Sequence, residues 1–338
     1  MKYVGTSERS FPRTAIASLG IISLAGGLVA AAAFVGFGAG SVKGPAQASA
    51  MSEQPSPEVL RGLPGYALEV LEGPVRIGIQ PGHWRIHELP DELARLRTST
   101  GAAFGDLREV DLNLAVSRLL VEKLTAAGYA AELVPAAVPA GYRADLFVSV
   151  HADRADVPNR QGWKLSPPWR PSPRARALAE AMKASFRASG LAEDSGGITA
   201  NMRGYFAFSW WRFSNTLSPY TPAVLIEMGF MGNAADRARM RDNPALYADL
   251  ILNGIRGYLN GHDRNDLAAL VPVILPLRFA AASGAAARAA PSFGAAVLKR
   301  YDAGRYVRPV DAADGGWLEV FSRPLRRGVW VHESELEG

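Results

Sequence analysis

The sequence predicts an α/β fold: a mainly parallel sheet flanked by helices, with a small β-barrel at the C-terminal end. Three observations carry that expectation. Between residues 74 and 262, apolar runs rich in β-branched side chains alternate with stretches of helical periodicity. Three of the apolar runs deliver a His or a Glu at their C-terminal ends, the edge of an open α/β sheet where ligands bind. Beyond an Ala-rich stretch, short strand-like runs are separated by Gly-containing turn signals.

The chain opens with an uncharged, mostly apolar stretch of 26 residues from Ala15 to Gly40, preceded by Arg9 and Arg13. A removable signal peptide has an apolar region of roughly 7–15 residues, and a spanning helix needs about 20. The length points to a membrane anchor with its basic end inside. Ala48-Ser49-Ala50 is nevertheless an A-x-A cleavage pattern, and many Gly and Ala residues make the stretch only mildly hydrophobic. Residues 1–50 are therefore read as a signal peptide or an N-terminal membrane anchor. Both readings make the remainder extracytoplasmic, secreted or anchored to the cytoplasmic membrane. Residues 51–73, with Pro55, Pro57 and Pro64, read as a linker.

The net charge of +5 does not signal a nucleic-acid partner. Of 37 basic and 32 acidic residues, four and one fall within the first 50, leaving 33 and 31 beyond them, a balance of +2. That is no polyanion-binding surface. The chain has no cysteine, so no disulfide staples the fold and a metal site must draw on His, Asp and Glu.

The main domain is predicted over residues 74–262. Val75-Arg-Ile-Gly-Ile-Gln-Pro-Gly-His-Trp84 reads as a buried strand running into a tight turn that presents His83. A lone His after a turn is ordinarily a surface or hydrogen-bonded residue, so its meaning depends on partners. Residues 85–106 read as an exposed loop with a short helix around Asp91–Arg97. From Glu109, apolar residues recur at mostly helical spacing through Leu124, with Gly128 as C-cap. Glu109 lies in the first turn, where acidic residues also serve the helix dipole.

A second strand is expected over Tyr129–Val134. A third, Ala144-Asp-Leu-Phe-Val-Ser-Val-His-Ala152, again ends on a His, His151. Residues 153–172 read as loop, with Trp163 and Trp169 among basic residues including Lys164. That mixture suits a carboxylate or sugar ligand, or equally aromatic packing under a loop. Pro173–Gly190 is a helix, and residues 191–219 return to loop with five clustered aromatic residues.

Pro222-Ala-Val-Leu-Ile-Glu227 is another strand, ending on a carboxylate whose burial is costly unless it is paired or near a metal. A closing helix from Asp236 to Leu259, broken near Asn243-Pro244, completes the unit. Two imidazoles and a carboxylate, His83, Glu109 and His151, form the ligand set of a catalytic Zn²⁺ that keeps one position open. A further carboxylate, Glu227, suits proton transfer. Only a fold can bring residues so widely separated together.

Four motifs occur in order: Ile79-Gln-Pro-Gly-His83, Glu109-Val-Asp-Leu-Asn-Leu114, Ser149-Val-His-Ala-Asp153 and Pro222-Ala-Val-Leu-Ile-Glu-Met-Gly-Phe-Met-Gly-Asn233. Together they resemble the motif series of the zinc-dependent N-acetylmuramoyl-L-alanine amidases of the amidase-3 family. The resemblance covers about residues 74–260. It implies His83, Glu109 and His151 as zinc ligands, Glu227 as catalytic carboxylate, and hydrolysis of the amide joining N-acetylmuramic acid to L-alanine in peptidoglycan. Trp84, Asp153, Trp163, Lys164 and Arg203 are candidates for contacting that substrate.

The chain departs from the family at Gln80, where Asp is common, and at Trp84-Arg85, where the family has Gly-Gly. It also has Pro135 in place of the family's Thr-Arg. The autoinhibitory helix of some members finds no obvious room in residues 153–172, which implies a constitutively open site.

Residues 263–294, with Pro272, Pro276 and Pro291, read as a second linker. Residues 295–338 contain strand-like runs around Val297–Tyr301, Tyr306–Pro309, Trp317–Phe321 and Gly328–Val331. Their Gly-Gly-Trp…Gly-Val-Trp-Val pattern is similar to bacterial SH3-like domains. Its charges balance, seven against seven, so a packing module and a wall-binding module are both consistent with it, and Trp317 and Trp330 read as core. Two other functions fit the same residues: a zinc peptidase cutting within the stem peptide, and a non-catalytic wall-binding or regulatory protein. Peptidoglycan is the expected partner, and the membrane too if the leader is retained.

Overall fold

The structure, a computed structural model, describes residues 63, 65–154, 156, 157, 159–322, 324, 325 and 327–338. The leader and most of the first expected linker lie outside the described residues. Among the described residues no helix is long and apolar enough to cross a membrane.

The chain begins its regular structure with β1 (Arg76–Pro81). A hairpin of β2 (Ala103–Phe104) and β3 (Leu107–Arg108) leads into α1 (Glu109–Ala126), and β4 (Ala130–Leu133) and β5 (Leu146–Asp153) follow. Next come β6 (Lys164–Ser166), α2 (Pro173–Ala188), the short α3 (Ala200–Arg203) and β7 (Ala223–Phe230). Two helices close the unit, α4 (Ala234–Asp242) and α5 (Pro244–Asn260). Asn243 ends one helix and caps the next, its side chain accepting from Leu246 N at 3.2 Å, and Pro244 occupies the first helical position, which tolerates it.

The sheet order is β4-β1-β5-β7-β6. The first four strands are parallel, and β6 joins the edge antiparallel to β7. Strand alternation then sorts the side chains. Ile77, Ile79, Val148, Val150, Val224 and Ile226 point to one face, packed by α1, α2 and α5 through Val116, Leu120, Met182, Phe186, Ile251 and Ile255. Phe147, Ala223 and Leu225 point to the other, which is covered by short turns and loops carrying Leu89, Leu93, Val138, Phe206 and Phe208. His151 and Glu227 share the parity of Phe147 and Leu225, so both stand on this loop-covered face.

Gln80 stands on that face as well, fully buried, with defined hydrogen bonding. Its Nε2 donates to Pro135 O at 3.0 Å, and its Oε1 accepts from Ser149 Oγ at 3.0 Å. An amide can do both. A carboxylate here would leave the Pro135 carbonyl facing another acceptor.

The C-terminal strands start earlier than the sequence reading places them. β8 (Arg278–Ala280) and β9 (Ala285–Arg288) fall inside the stretch read as a linker. Alanine carries little strand preference, and burial in the module's core recruits Ala280, Ala285 and Ala287. The remaining strands are β10 (Val297–Tyr301), β11 (Tyr306–Val307), β12 (Pro309–Ala313), β13 (Trp317–Ser322), β14 (Arg327–His332) and β15 (Leu336–Glu337). They form antiparallel sheets of order β10-β9-β14-β13-β12 and β11-β8-β15. Trp317 is buried and Trp330 half-buried.

Candidate metal centre

Three of the four principal site residues converge on one point. One ring nitrogen each of His83 and His151 and a carboxylate oxygen of Glu109 all lie within 4.8 Å of one another. His83 sits within the turn after β1 and adopts φ 66°, a left-handed backbone rare for a side chain with a β-carbon. Such strain persists where surrounding structure over-determines it, and it clusters at functional sites. The His83 ring is oriented by Nδ1–H, which donates to Ser99 O at 2.6 Å, leaving Nε2 to face Glu109 Oε1 at 3.2 Å. His151 Nδ1 lies 3.0 Å from the same oxygen.

Glu109 opens α1 and is buried, with its carboxylate held from several sides. Ala102 N donates to Oε2 at 2.7 Å, and Ala152 N and Asn113 Nδ2 donate to Oε1 at 3.3 and 3.2 Å. Asn113 sits one turn along the same helix, where i and i+4 meet, and also donates to Gly82 O at 3.2 Å. Such outer partners orient ligands and tune them. Burial pushes the Glu109 carboxyl up, but hydrogen bonds and charge from His151 and His83 outweigh it and hold the group well below the carboxylate range. Burial also opposes protonation of both imidazoles. In His83 the Glu109 and Ser99 contacts prevail and raise its pKa above 6.5, whereas in fully enclosed His151 burial prevails and lowers it.

These residues fit a divalent cation. Two imidazole nitrogens and a carboxylate oxygen crowd together, and His151 Nε2 is buried without a hydrogen-bond partner. A donor set of two nitrogens and one oxygen, with no sulfur, suits Zn²⁺ with an open position.

Glycine makes room for this packing at two positions the sequence reading passed over. A β-carbon on Gly82 would fall 2.3 Å from the His151 ring. One on Gly101, at φ +88°, would fall 2.8 Å from both Glu109 Oε2 and His83 Cδ2. Gly82→Ala is therefore expected to push His151 aside and weaken metal binding by roughly 10–100-fold, the cost typical of disturbing a ligand's support. Zinc titration of purified protein checks this, and unchanged affinity would contradict the packing argument.

Glu227 is the register partner of His151 across β5 and β7, so the two Cα positions are adjacent. Its Oε2 is buried with no hydrogen-bond partner. Burial raises its pKa well above the ordinary value, the negative charges of Asp153 and Glu109 add to the rise, and Lys164 opposes it. Lys164 stands directly across from Glu227 in the β6·β7 pairing. It is itself buried, ion-paired with Asp153 and 3.4 Å from Asp194 Oδ2, and its Nζ lies 4.9 Å from the Phe230 ring centroid.

The other candidate contact residues are scattered. Trp84 is half-buried beside His83, with the Arg85 guanidinium 5.6 Å from its ring centroid. Trp163 is buried against Phe186 at 5.2 Å between centroids, and its indole donates to Leu191 O at 3.1 Å. Arg203 pairs with Asp311 and Glu319 of the C-terminal strands. Tyr205, which the sequence reading did not single out, lies edge-on to His151 at 5.4 Å between centroids. No local pattern marks it among the aromatic residues of its loop.

A family model described as N-acetylmuramoyl-L-alanine amidase matches residues 77–257. The chain is similar to the solved N-acetylmuramyl-L-alanine amidase from Mycobacterium smegmatis, with 21% identity over 56% of this chain and 98% of that one, at a TM-score of 0.41. The N-acetylmuramoyl-L-alanine amidase of Nostoc punctiforme shows 21% identity over 56% and 98%, at a TM-score of 0.40. That of Clostridium difficile 630 shows 18% identity over 56% and 99%, at 0.41. No curated protein sequence matches the chain.

Proposed function

Because the chain belongs to the N-acetylmuramoyl-L-alanine amidase family, we propose that it hydrolyses the muramoyl–L-alanine amide of peptidoglycan with Zn²⁺ held by His83, Glu109 and His151 and with Glu227 as general base and acid. The observation that carries this reading is the meeting of His83, Glu109 and His151 beside Glu227 on the next strand, a carboxylate with one oxygen buried and unpartnered. When bound, the ion would acidify water and polarise the scissile carbonyl. Its charge would also lower the proton affinity of nearby Glu227 toward working range.

The protein's own groups supply the remaining chemistry. Glu227 takes a proton from the attacking water as the new carbon–oxygen bond forms. It returns the proton to the departing nitrogen as the carbon–nitrogen bond breaks, so the alanine leaves as a free amine. A carboxylate of raised proton affinity suits both halves of that transfer. Lys164 supplies positive charge opposite Glu227 and keeps Asp153 paired. Trp84, half-buried and next to His83 in the chain, is the side chain we assign to contact with the sugar or stem peptide.

Peptidoglycan lies outside the cytoplasm, so the activity is extracytoplasmic. We read the leader as the export or anchoring element that takes the enzyme there, and the C-terminal strands as an SH3-like module. The test is a digest of purified peptidoglycan analysed by mass spectrometry. Free muramic lactyl groups and intact stem peptides beginning with a free alanine amine are expected. Cleavage inside the stem would replace the amidase reading with a peptidase, and release of nothing by zinc-loaded protein would favour a non-catalytic wall protein.

A further inference from the structure

The C-terminal strands are joined to the catalytic unit at one charged cluster. Asp311 and Glu319 are register partners across β12 and β13, and both are buried. Two carboxylates side by side repel each other unless cations lie between them. Arg203 supplies both missing partners: Nη2 donates to Asp311 Oδ2 at 3.0 Å, and Nη1 donates to Glu319 Oε2. Arg176, on α2, donates to Asp311 from the other side. Glu319 can lie flat across the sheet only because residue 328 is glycine, since a β-carbon there would fall 1.9 Å from Oε1.

The same contact is built from neighbouring groups. The Arg203 guanidinium stacks 3.9 Å from the Trp169 ring centroid, and Trp169 N donates to Arg203 O at 2.9 Å. Trp169 in turn packs on Phe321, with centroids 5.7 Å apart. Arg170 takes a left-handed φ of 57° and donates its N–H to Val310 O at 2.8 Å. Buried ion pairs are weak sources of stability, because desolvation offsets attraction, and they are better at fixing geometry. What this cluster fixes is the segment from Thr199 to Phe208. Two residues after Arg203, the Tyr205 ring meets His151 edge to face, and it packs tilted against Phe206 at 4.5 Å and edge to face against Phe208 at 5.4 Å.

We infer that Arg203 is a positioning residue, clamped by Asp311 and Glu319 of the C-terminal module, and that this clamp holds Tyr205 against His151. The inference rests on His151 belonging to the metal site, as proposed above. The module is thereby a working part of the active site.

The test uses the full chain with Asp311→Asn and Glu319→Gln together, changes that keep shape and remove charge. On a soluble muramoyl-peptide, kcat is expected to fall about tenfold or more while KM stays within about twofold and zinc stoichiometry is unchanged. Amide hydrogen exchange is expected to accelerate across residues 199–208 and not across 223–230. Faster exchange at 199–208 with full kcat would overturn the coupling, and unchanged exchange there would overturn the clamp. If the double variant fails to fold, Trp169→Leu removes the stack between Arg203 and Phe321 and carries the same expectations. If the parent chain releases no product, the amidase reading fails by itself, and the exchange pattern alone decides whether the clamp holds the segment.

Discussion

Glu227→Gln is expected to lower kcat by about 10²–10⁴-fold, or roughly 3–5.5 kcal/mol of barrier, while zinc stoichiometry stays unchanged. The amide nearly matches the carboxylate in shape, so β7 need not repack. What it cannot do is accept a proton from water and return it to nitrogen. The same substitution should not destabilise the metal-free protein. Glu227 carries a buried oxygen without a partner and faces the negative charges of Asp153 and Glu109. Removing its charge relieves that repulsion, so metal-free Glu227→Gln is expected to unfold at or above the parent's temperature. Loss of activity with stability retained is the mark of a group kept for chemistry at a cost to folding. Steady-state kinetics, metal analysis and thermal unfolding on one preparation check all three points. A variant with more than about a tenth of parental kcat would remove Glu227 from the proton-transfer role.

The strands that frame the site were legible because burial on both faces demands continuous apolar runs. Ile77–Ile79, Leu146–Val150 and Ala223–Ile226 could be little else. The polar residue ending each run stood out against that background. β6 was not legible, because three residues within a loop carry no period to read. Nor were β8 and β9, whose alanines acquire strand geometry from the core they enter. The supports of the site were hidden for a different reason. Gly82 and Gly101 matter because of what stands near them in space, and glycine after proline in a turn needs no further explanation at the level of sequence. Arg203 lies 108 and 116 positions from the carboxylates that hold it. A lone Arg among aromatic residues invites a substrate reading, and only the fold supplies its partners.

His151→Ala is expected to abolish zinc binding and activity together, and the unfolding temperature shows why the two losses share a cause. A ligand that binds only the folded state stabilises it by RT ln(1 + [L]/Kd), about 2.7 kcal/mol at a hundredfold excess over Kd. For a domain of the size matched at residues 77–257, each kcal/mol moves the midpoint by roughly 2–4 °C. Zinc should therefore raise the parent's midpoint by roughly 5–10 °C and leave that of His151→Ala unmoved. Two ligands remain in the variant, but Glu109 Oε1 loses the His151 nitrogen 3.0 Å away and keeps a buried charge with one fewer partner. Removing a hydrogen-bond donor from a buried charged group costs about 1.5–3 kcal/mol. The metal-free variant should accordingly melt below the metal-free parent, the opposite of the direction expected for Glu227→Gln. That contrast separates a residue that would bind the ion and is held by Glu109 from one that, without the ion, is repelled by Glu109 and Asp153. A zinc-dependent rise in the melting temperature of His151→Ala equal to the parent's would show that the ion, if bound, sits elsewhere.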